Sequence, residues 1–148
     1  MRPAVIAVLC VATVLPSCGG REPGETGGGV KGAIRWSTSI PDALKAAGEQ
    51  GKPVMADFFS ERCSWCGKLD RETYADAAVR ELAKKFVAVK VDVGKDPAAG
   101  RAYGIPALPT VLFMNARGKV VHRVVGFKPP GAFLQEMRKA LDPARQQS

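Results

Sequence analysis

The sequence predicts one α/β domain in which helices cover both faces of a central mixed β-sheet. Two observations lead to this fold class. Short strand-like runs alternate with segments of helical periodicity, in the order β-α-β-α-β-α-β-β-α. The last two strand-like runs, Thr110–Met114 and Val120–Val125, are separated by a turn at residues 115–118. So short a connection predicts an antiparallel hairpin.

The first half of the domain begins with a short apolar segment, Ala33–Trp36, and continues with a helix. Ser39 is a residue type that caps helices, and Pro41 suits a first turn. The helix is therefore expected to run from there to about Glu49. The Gly-Lys-Pro sequence at 51–53 ends it, because glycine and proline break helical periodicity.

The next run, Val54–Phe59, is mostly apolar and of strand length, and we expect it to be buried on both faces of the sheet. The alternation of helix and strand then continues to the end of the chain. The remaining predicted elements are a helix from about Cys63, an amphipathic helix from Asp76, a strand at Val87–Val93, a short helix at Ala98–Tyr103 and a final helix from Pro130.

The chain of 148 residues is basic, with a formal net charge of +8. A basic chain can bind nucleic acid, an anionic membrane surface or an acidic partner. Here lysine and arginine are spread along the sequence, and no arginine-rich or aromatic-interleaved basic run is present. The sequence therefore predicts no nucleic-acid partner.

The first residues have the features of an export signal. A positive charge precedes an apolar stretch, Ala4–Leu15, that is too short to span a bilayer comfortably. The Leu-Pro-Ser-Cys sequence at 15–18 resembles the bacterial lipobox, although Pro16 departs from its usual small or aliphatic residue. We expect residues 1–17 to be a lipoprotein-type signal peptide and Cys18 to be lipidated. The alternative is an ordinary signal peptide or an uncleaved anchor.

Residues 18–32 are rich in glycine and polar residues, which predicts a flexible tether. Residues 33–148 are then the folded domain. A domain tethered behind a lipid attachment point would be held at a membrane of the cell envelope, on its periplasmic or extracytoplasmic face.

The cysteine count points to one pair. Cys10 lies in the predicted signal peptide and Cys18 would be acylated, which leaves Cys63 and Cys66 as the thiols of the domain. A C-x-x-C pair is typically redox-active or one half of a metal site. A closed zinc site needs two further ligands, and the one histidine, His122, is far along the chain. We therefore expect no metal.

The cysteine pair follows a predicted strand and opens a predicted helix. The unpaired N–H groups at a helix N-terminus stabilise a thiolate at Cys63, and the thiolate is the form that attacks disulfides. Cys66 is then close enough to resolve a mixed disulfide formed at Cys63. Three charged residues that follow, Asp70, Arg71 and Glu72, are expected on a solvated face.

Residues 57–66, Asp-Phe-Phe-Ser-Glu-Arg-Cys-Ser-Trp-Cys, resemble the active-site strand and helix of thioredoxins. The closer likeness is to bacterial periplasmic thioredoxin-like proteins, including the C-terminal domain of the transmembrane thiol:disulfide interchange reductase. Trp36, the Gly-Lys-Pro-Val at 51–54 and the segment from Cys66 to Thr73-Tyr74 are also typical of that branch. The resemblance implies a thioredoxin fold and no cofactor beyond the redox-active disulfide.

The resemblance also implies roles for residues outside the cysteine pair. Pro109 corresponds to the cis-proline that faces the dithiol, and the backbone of Leu108 would pair with a substrate strand. Asp57 matches a buried carboxylate, and Lys90 matches the lysine that accompanies it. A buried carboxylate has a raised pKa and can take the Cys66 proton. The plainer alternative is a satisfied core acid beside a lysine that reaches water.

Two features of the site depart from the family pattern. The tryptophan that precedes the first cysteine is replaced by Arg62, and the central dipeptide is Ser64-Trp65. The dipeptide tunes the reduction potential, so the direction of electron flow stays open. Trp65 either packs over the site or forms part of the docking surface for substrate.

The expected function is therefore thiol–disulfide oxidoreduction, as a reductase or isomerase of exported proteins. The expected partners are the thiols and disulfides of those proteins, a membrane electron-donor reductase, and the membrane itself through the lipid anchor. The alternative is a thioredoxin-like binding or chaperone module that uses the cis-proline groove without turnover. Substitution of Cys63 and Cys66 by serine distinguishes the two.

Overall fold

The structure, a computed structural model, describes residues 32–147 of the chain. The predicted signal peptide at 1–17, the predicted lipidation site Cys18 and nearly all of the predicted tether lie outside the described residues. None of the helices that residues 32–147 form is long and apolar enough to cross a membrane.

Five strands form the mixed sheet that the sequence predicts. They are β1 (Trp36–Ser37), β2 (Val54–Phe59), β3 (Val87–Asp92), β4 (Thr110–Met114) and β5 (Val120–Val125). Their order in the sheet is β1-β3-β2-β4-β5. β3 pairs in parallel with both β1 and β2, whereas β4 is antiparallel to both β2 and β5. The predicted hairpin is therefore confirmed as β4 and β5.

The helices are α1 (Ile40–Gln50), α2 (Ser64–Lys68), α3 (Ala77–Ala83), α4 (Pro97–Ala102), α5 (Pro130–Ala140) and α6 (Pro143–Gln147). A π-helical segment, Leu69–Thr73, continues directly from α2. Neither the π-helical segment nor α6 was predicted from the sequence. A π-helical turn inserts one extra residue without changing the apolar pattern at either end, so periodicity does not reveal it.

The helix ends follow local sequence chemistry. The Ser39 hydroxyl accepts a backbone N–H of the first turn of α1 at 3.3 Å. Gly51 ends α1 with a φ of 63°, a left-handed conformation in which glycine carries no steric penalty. The Asp76 carboxylate accepts two backbone N–H groups at the start of α3, at 2.9 and 3.0 Å. Both predicted helix starts are confirmed because each cap satisfies N–H groups that lack partners within the helix.

Two apolar clusters fill the two sides of the sheet. One combines α1 with Val54, Ala56 and Phe58 of β2, and the other combines α3, α5 and the π-helical segment with Met55. Helices therefore cover both faces, as predicted. Because successive strand side chains point to opposite faces, Asp57 shares the face of Met55, under the second cluster.

The register of β2 with its neighbours brings distant segments to one end of the sheet. β2 runs toward Cys63, and Phe58 pairs with Thr110, the first residue of the antiparallel β4. On the other side, Asp57 is opposite Lys90 of the parallel β3. The loop that precedes β4 and the helix that carries the cysteines therefore lie at the same end of the sheet.

Candidate active site

Cys63 and Cys66 form a disulfide across the start of α2, with their Cα atoms 5.3 Å apart. Cys63 is the N-cap of α2, and its sulfur accepts the backbone N–H of Cys66 at 3.1 Å. Cys66 is buried, whereas Cys63 is only partly buried. The two sulfurs therefore differ in access, and the N–H that contacts Cys63 is placed to stabilise a negative charge there.

The peptide bond between Leu108 and Pro109 is cis. Pro109 is buried and Leu108 is partly buried. The Pro109 carbonyl accepts the backbone N–H of Gly126 at 2.8 Å, and the Thr110 hydroxyl donates to the Ala107 carbonyl at 2.7 Å. These bonds hold the loop rigidly at the end of the sheet where the cysteines lie.

Asp57 is 1% exposed, in the middle of the sheet. Burial raises the pKa of its carboxyl to about 7, and the nearby charge of Asp70 adds to the rise. Lys90 opposes the rise, since its Nζ lies 3.6 Å from Oδ2 of Asp57. A carboxyl with a pKa near neutrality can both accept and return a proton at physiological pH.

Asp70 is part of this cluster. Its side chain is exposed, as predicted for residues 70–72, but its ion pair was not predicted from the sequence. Its carboxylate pairs with Lys90, so that one ammonium group contacts both Asp70 and Asp57. The contact arises because Lys90 lies on β3, across from the segment that carries Asp70. One sequence signal was available: Asp70 is four residues after Cys66 and so shares its helical face.

Aromatic rings surround the Lys90 ammonium. Its Nζ lies 5.3 Å from the ring centre of Trp36, 5.0 Å from that of Phe59 and 5.6 Å from that of Tyr74. Cation–π attraction and the two carboxylates together hold the ammonium in place under the dithiol helix. From the sequence, Trp36 and Tyr74 were identified only as residues typical of the family, and neither was predicted to belong to the site.

Trp65 is the most exposed large apolar side chain of the described residues, at 55%. Its ring packs against that of Phe127 at a tilt of 35°, with the ring centres 5.9 Å apart. The Lys68 ammonium lies over both rings, 5.2 Å from that of Trp65 and 4.7 Å from that of Phe127. We call Trp65, Phe127 and Lys68 the aromatic patch. Its exposure beside the cysteines favours the docking interpretation of Trp65 over simple packing.

His122 lies on β5, an edge strand, and is engaged by the helix packed against it. Its Nε2 is 2.5 Å from a carboxylate oxygen of Glu136 on α5. This contact and Lys139 lower the pKa of Glu136. His122 thus has a structural partner within the domain.

The family model for thioredoxin-like domains matches residues 40–141 of this chain. The thiol:disulfide interchange protein DsbD of Ralstonia nicotianae is 32% identical over 140 residues, which are 91% of this chain and 23% of that protein. The chain thus spans less than a quarter of that relative's length. A thioredoxin of Streptomyces clavuligerus is 33% identical over 107 residues, which are 72% of this chain and 92% of that protein.

A solved structure of a thioredoxin from Thermus thermophilus superimposes on this one with a TM-score of 0.67. The two sequences are 30% identical, and the match covers 74% of this chain and 88% of that one. The thioredoxin fold that the sequence resemblance implies is therefore confirmed.

Proposed function

The chain belongs to the thioredoxin-like domain family, and on that premise we propose that it reduces or isomerises disulfides of exported proteins. Cys63 and Cys66 are the catalytic pair. No cofactor is needed, because the cysteine pair itself gives up two electrons when its disulfide forms and takes up two when the disulfide is reduced.

The unequal access of the two sulfurs is the observation that carries this proposal. Cys63 begins α2 and is partly exposed, while Cys66 is buried behind it. A protein substrate can therefore reach Cys63 and not Cys66. Cys63 is the attacking residue and Cys66 the resolving one.

The reductive reaction has two steps. The Cys63 thiolate attacks one sulfur of the substrate disulfide, which forms a mixed disulfide and releases the other substrate sulfur as a thiolate that takes up a proton. Cys66 then gives up its proton and attacks the Cys63 sulfur, so that the internal disulfide forms and the second substrate sulfur leaves. The substrate gains two electrons and the cysteine pair loses two.

Asp57 accepts the proton that Cys66 loses. A pKa of about 7 makes Asp57 a base of matched strength at neutral pH. Lys90 and Asp70 adjust that value in opposite directions, because one is a cation and the other an anion. The three groups act as one charge cluster beneath the dithiol.

The substrate binds across the aromatic patch and the cis-proline loop. Trp65 and Phe127 offer an apolar surface next to Cys63. The Leu108 backbone, held beside the buried Pro109, is offered to an extended substrate segment, in the manner of strand addition to an exposed edge.

The protein works in the cell envelope, attached by a lipid on Cys18, with residues 18–32 as its tether. The apolar stretch and lipobox-like residues before Cys18 support this placement. After each turnover the internal disulfide must be reduced again, and a membrane electron-donor reductase is the partner that we propose for that step.

The first test is the reduction potential of the Cys63–Cys66 couple, measured on the full-length chain in detergent against dithiothreitol or glutathione buffers. Trp65 fluorescence reports the redox state, since its ring adjoins the pair. A value of about −270 mV supports a reductase, and about −120 mV indicates a donor of disulfides. A chain without a reversible couple would contradict the proposed activity.

Two serine variants provide the control. Cys66→Ser should trap mixed disulfides with substrate proteins, because Cys63 can attack but nothing resolves the product. Cys63→Ser should lose both trapping and insulin reduction. If the double variant keeps every activity of the parent protein, the binding-module alternative holds instead.

A further inference from the structure

Tyr74 carries a buried hydroxyl for which the proposed reaction has no role. Among the buried side-chain polar atoms of residues 32–147, two lack a partner in hydrogen-bond geometry: the Tyr74 hydroxyl and Oδ1 of Asp57. Buried polar atoms are nearly always paired, and an unpaired one is costly. Two unpaired atoms of complementary chemistry, a donor and an acceptor, thus occur in one cluster.

The backbone turns Tyr74 toward the sheet. The Tyr74 N–H donates to the Leu69 carbonyl at 3.0 Å, which closes the π-helical turn. Thr73 and Tyr74, at the end of this turn, are both buried.

Ring packing then fixes the position of the hydroxyl. The Tyr74 ring lies 5.0 Å from that of Trp36 and 5.6 Å, edge to face, from that of Phe133. Tyr74 and Met55 belong to the same apolar cluster, and Asp57 shares the sheet face of Met55. Lys90 Nζ lies 5.6 Å from the centre of the Tyr74 ring and 3.6 Å from Oδ2 of Asp57, so the tyrosine and the carboxyl border the same ammonium group.

We propose that Tyr74 is a positioning residue for Asp57, whose ionised carboxylate it stabilises by donating a hydrogen bond to Oδ1. The inference rests on the proposed role of Asp57 as acceptor of the Cys66 proton. Burial and the Asp57 charge raise the pKa of Tyr74 well above its ordinary value, so its hydroxyl keeps its proton and can donate a hydrogen bond. Tyr74 therefore increases the fraction of Asp57 that is ready to accept a proton at neutral pH.

Three charged or titratable groups face Asp57 from the elements packed against it. They are Lys90 of β3, Asp70 of the π-helical segment and Tyr74 itself. Lys90 and Tyr74 favour the ionised carboxylate, and Asp70 disfavours it. The Tyr74 contribution can be separated from the others because Tyr74→Phe removes one oxygen and keeps every ring contact.

The test measures the Asp57 pKa in the oxidised full-length protein, in which Cys63 and Cys66 are disulfide-bonded and do not titrate. The NMR resonance of the Asp57 carboxyl carbon, assigned by comparison with Asp57→Asn, is followed from pH 4 to 9, and the midpoint of its chemical-shift change gives the pKa of the folded protein. Tyr74→Phe should raise this midpoint by about one pH unit, the effect of losing a hydrogen bond to a charged group. Tyr103→Phe, at the chain's other tyrosine, on the opposite sheet face, should leave it in place.

Insulin reduction provides the second readout. If the midpoint moves by one unit, the ionised fraction of Asp57 at pH 7 falls roughly fivefold in Tyr74→Phe, and turnover should fall similarly and recover by pH 9. An unchanged midpoint, or an equal loss of turnover in the Asp57→Asn background, would overturn the proposal. A shifted midpoint in a protein without redox activity would support the Tyr74 contact and reject the proposed function.

The Tyr74 hydroxyl can also be observed directly in the unsubstituted protein, so this test does not depend on whether a variant folds. The hydroxyl proton of Tyr74 should shift downfield in the NMR spectrum as Asp57 ionises, because its hydrogen bond becomes charge-assisted. A resonance that does not change between pH 5 and 9 would contradict the contact.

Discussion

The buried carboxyl of Asp57 carries a cost in stability. The carboxyl lies in the central strand, and burial is the main reason that its pKa rises from 3.8 to about 7. In the unfolded chain the same group ionises near pH 4. Between these two values the folded protein keeps a proton that the unfolded chain has lost, so stability falls as the pH rises through this window and is level above it.

Asp57→Asn should therefore stabilise the oxidised protein at pH 8, by on the order of 2–4 kcal/mol, and the gain should shrink toward zero near pH 4. Lys90 keeps Asp70 as a partner in this variant, so no buried cation is left unpaired. Urea unfolding at both pH values measures the effect. The same variant should slow insulin reduction at pH 7. A gain in stability of equal size at both pH values would contradict the raised pKa.

The negative charge of Asp70 raises the Asp57 pKa, and a hydrogen bond from Tyr74 would lower it. Removal of the Asp70 charge and removal of the Tyr74 hydroxyl should therefore shift that pKa in opposite directions. Asp70→Asn should lower that pKa by about half a unit, because a like charge is lost and Lys90 is freed for Asp57. The pH profile of insulin reduction should move to lower pH accordingly.

Glu72→Gln is the matched control, since it removes the same charge from the same segment and Glu72 is not among the groups that shift Asp57. A profile that moves equally in the two variants would mean that the effect is general surface charge, with no specific role for Asp70.

At the scale of elements, α2 and the π-helical segment together place the cysteines and the charged residues of the site. The start of α2 presents Cys63, and the segment that follows brings Asp70 and Tyr74 toward the strand that carries Asp57. Thr73 anchors the same segment at its far side, where its hydroxyl donates to the Lys128 carbonyl at 2.5 Å. This bond joins the dithiol helix to the loop that carries Phe127, so the cysteines and the aromatic patch are held together.

The aromatic patch on α2 should matter for protein substrates and little for small ones. Trp65→Ala should lower kcat/KM for insulin reduction by about three- to tenfold, as truncation of an exposed interface aromatic commonly does. The rate with glutathione disulfide should change less than twofold, since a small disulfide does not reach the patch. Val120→Ala, an exposed apolar position on β5, is the control. Equal losses on both substrates would indicate a role in the chemistry of the pair.

At the scale of the whole molecule, the domain and the residues before it have separate tasks. The sheet and its two apolar clusters lie within the predicted domain, residues 33–148. Among residues 32–147, the disulfide between Cys63 and Cys66 is the only one, so packing alone holds the site in place. In the proposed function, the segment before the domain determines where the site works. The flexible tether predicted at residues 18–32 would leave the aromatic patch free to meet substrates at a membrane surface.

Cys18→Ala should move the full-length protein from the membrane fraction to the soluble fraction of the cell envelope and abolish labelling with radioactive palmitate. The physical reason is that lipid chains on one cysteine provide the anchoring free energy. Cys10→Ala, in the predicted signal peptide, should change neither result. Persistent membrane attachment without Cys18 would indicate an uncleaved apolar anchor.

Local chemistry made much of the fold and the catalytic pair predictable. The bounds of β2, β4 and β5 agree with the apolar and β-branched runs, and Ser39 and Asp76 cap helices where the sequence places them. The cysteine pair was identified from spacing and from its place between a strand and a helix. These features depend on residues within a few positions of one another, so the sequence determines them directly.

Only the tertiary structure decided which charges and rings meet beneath the dithiol. Lys90 and Asp70 are 20 residues apart, and each is an ordinary charged residue in its own element. Tyr74 and the aromatic patch join the site because a π-helical turn and the sheet register bring separate segments together. Such contacts depend on the packing of distant elements in space, and a single sequence carries no local signal of that packing.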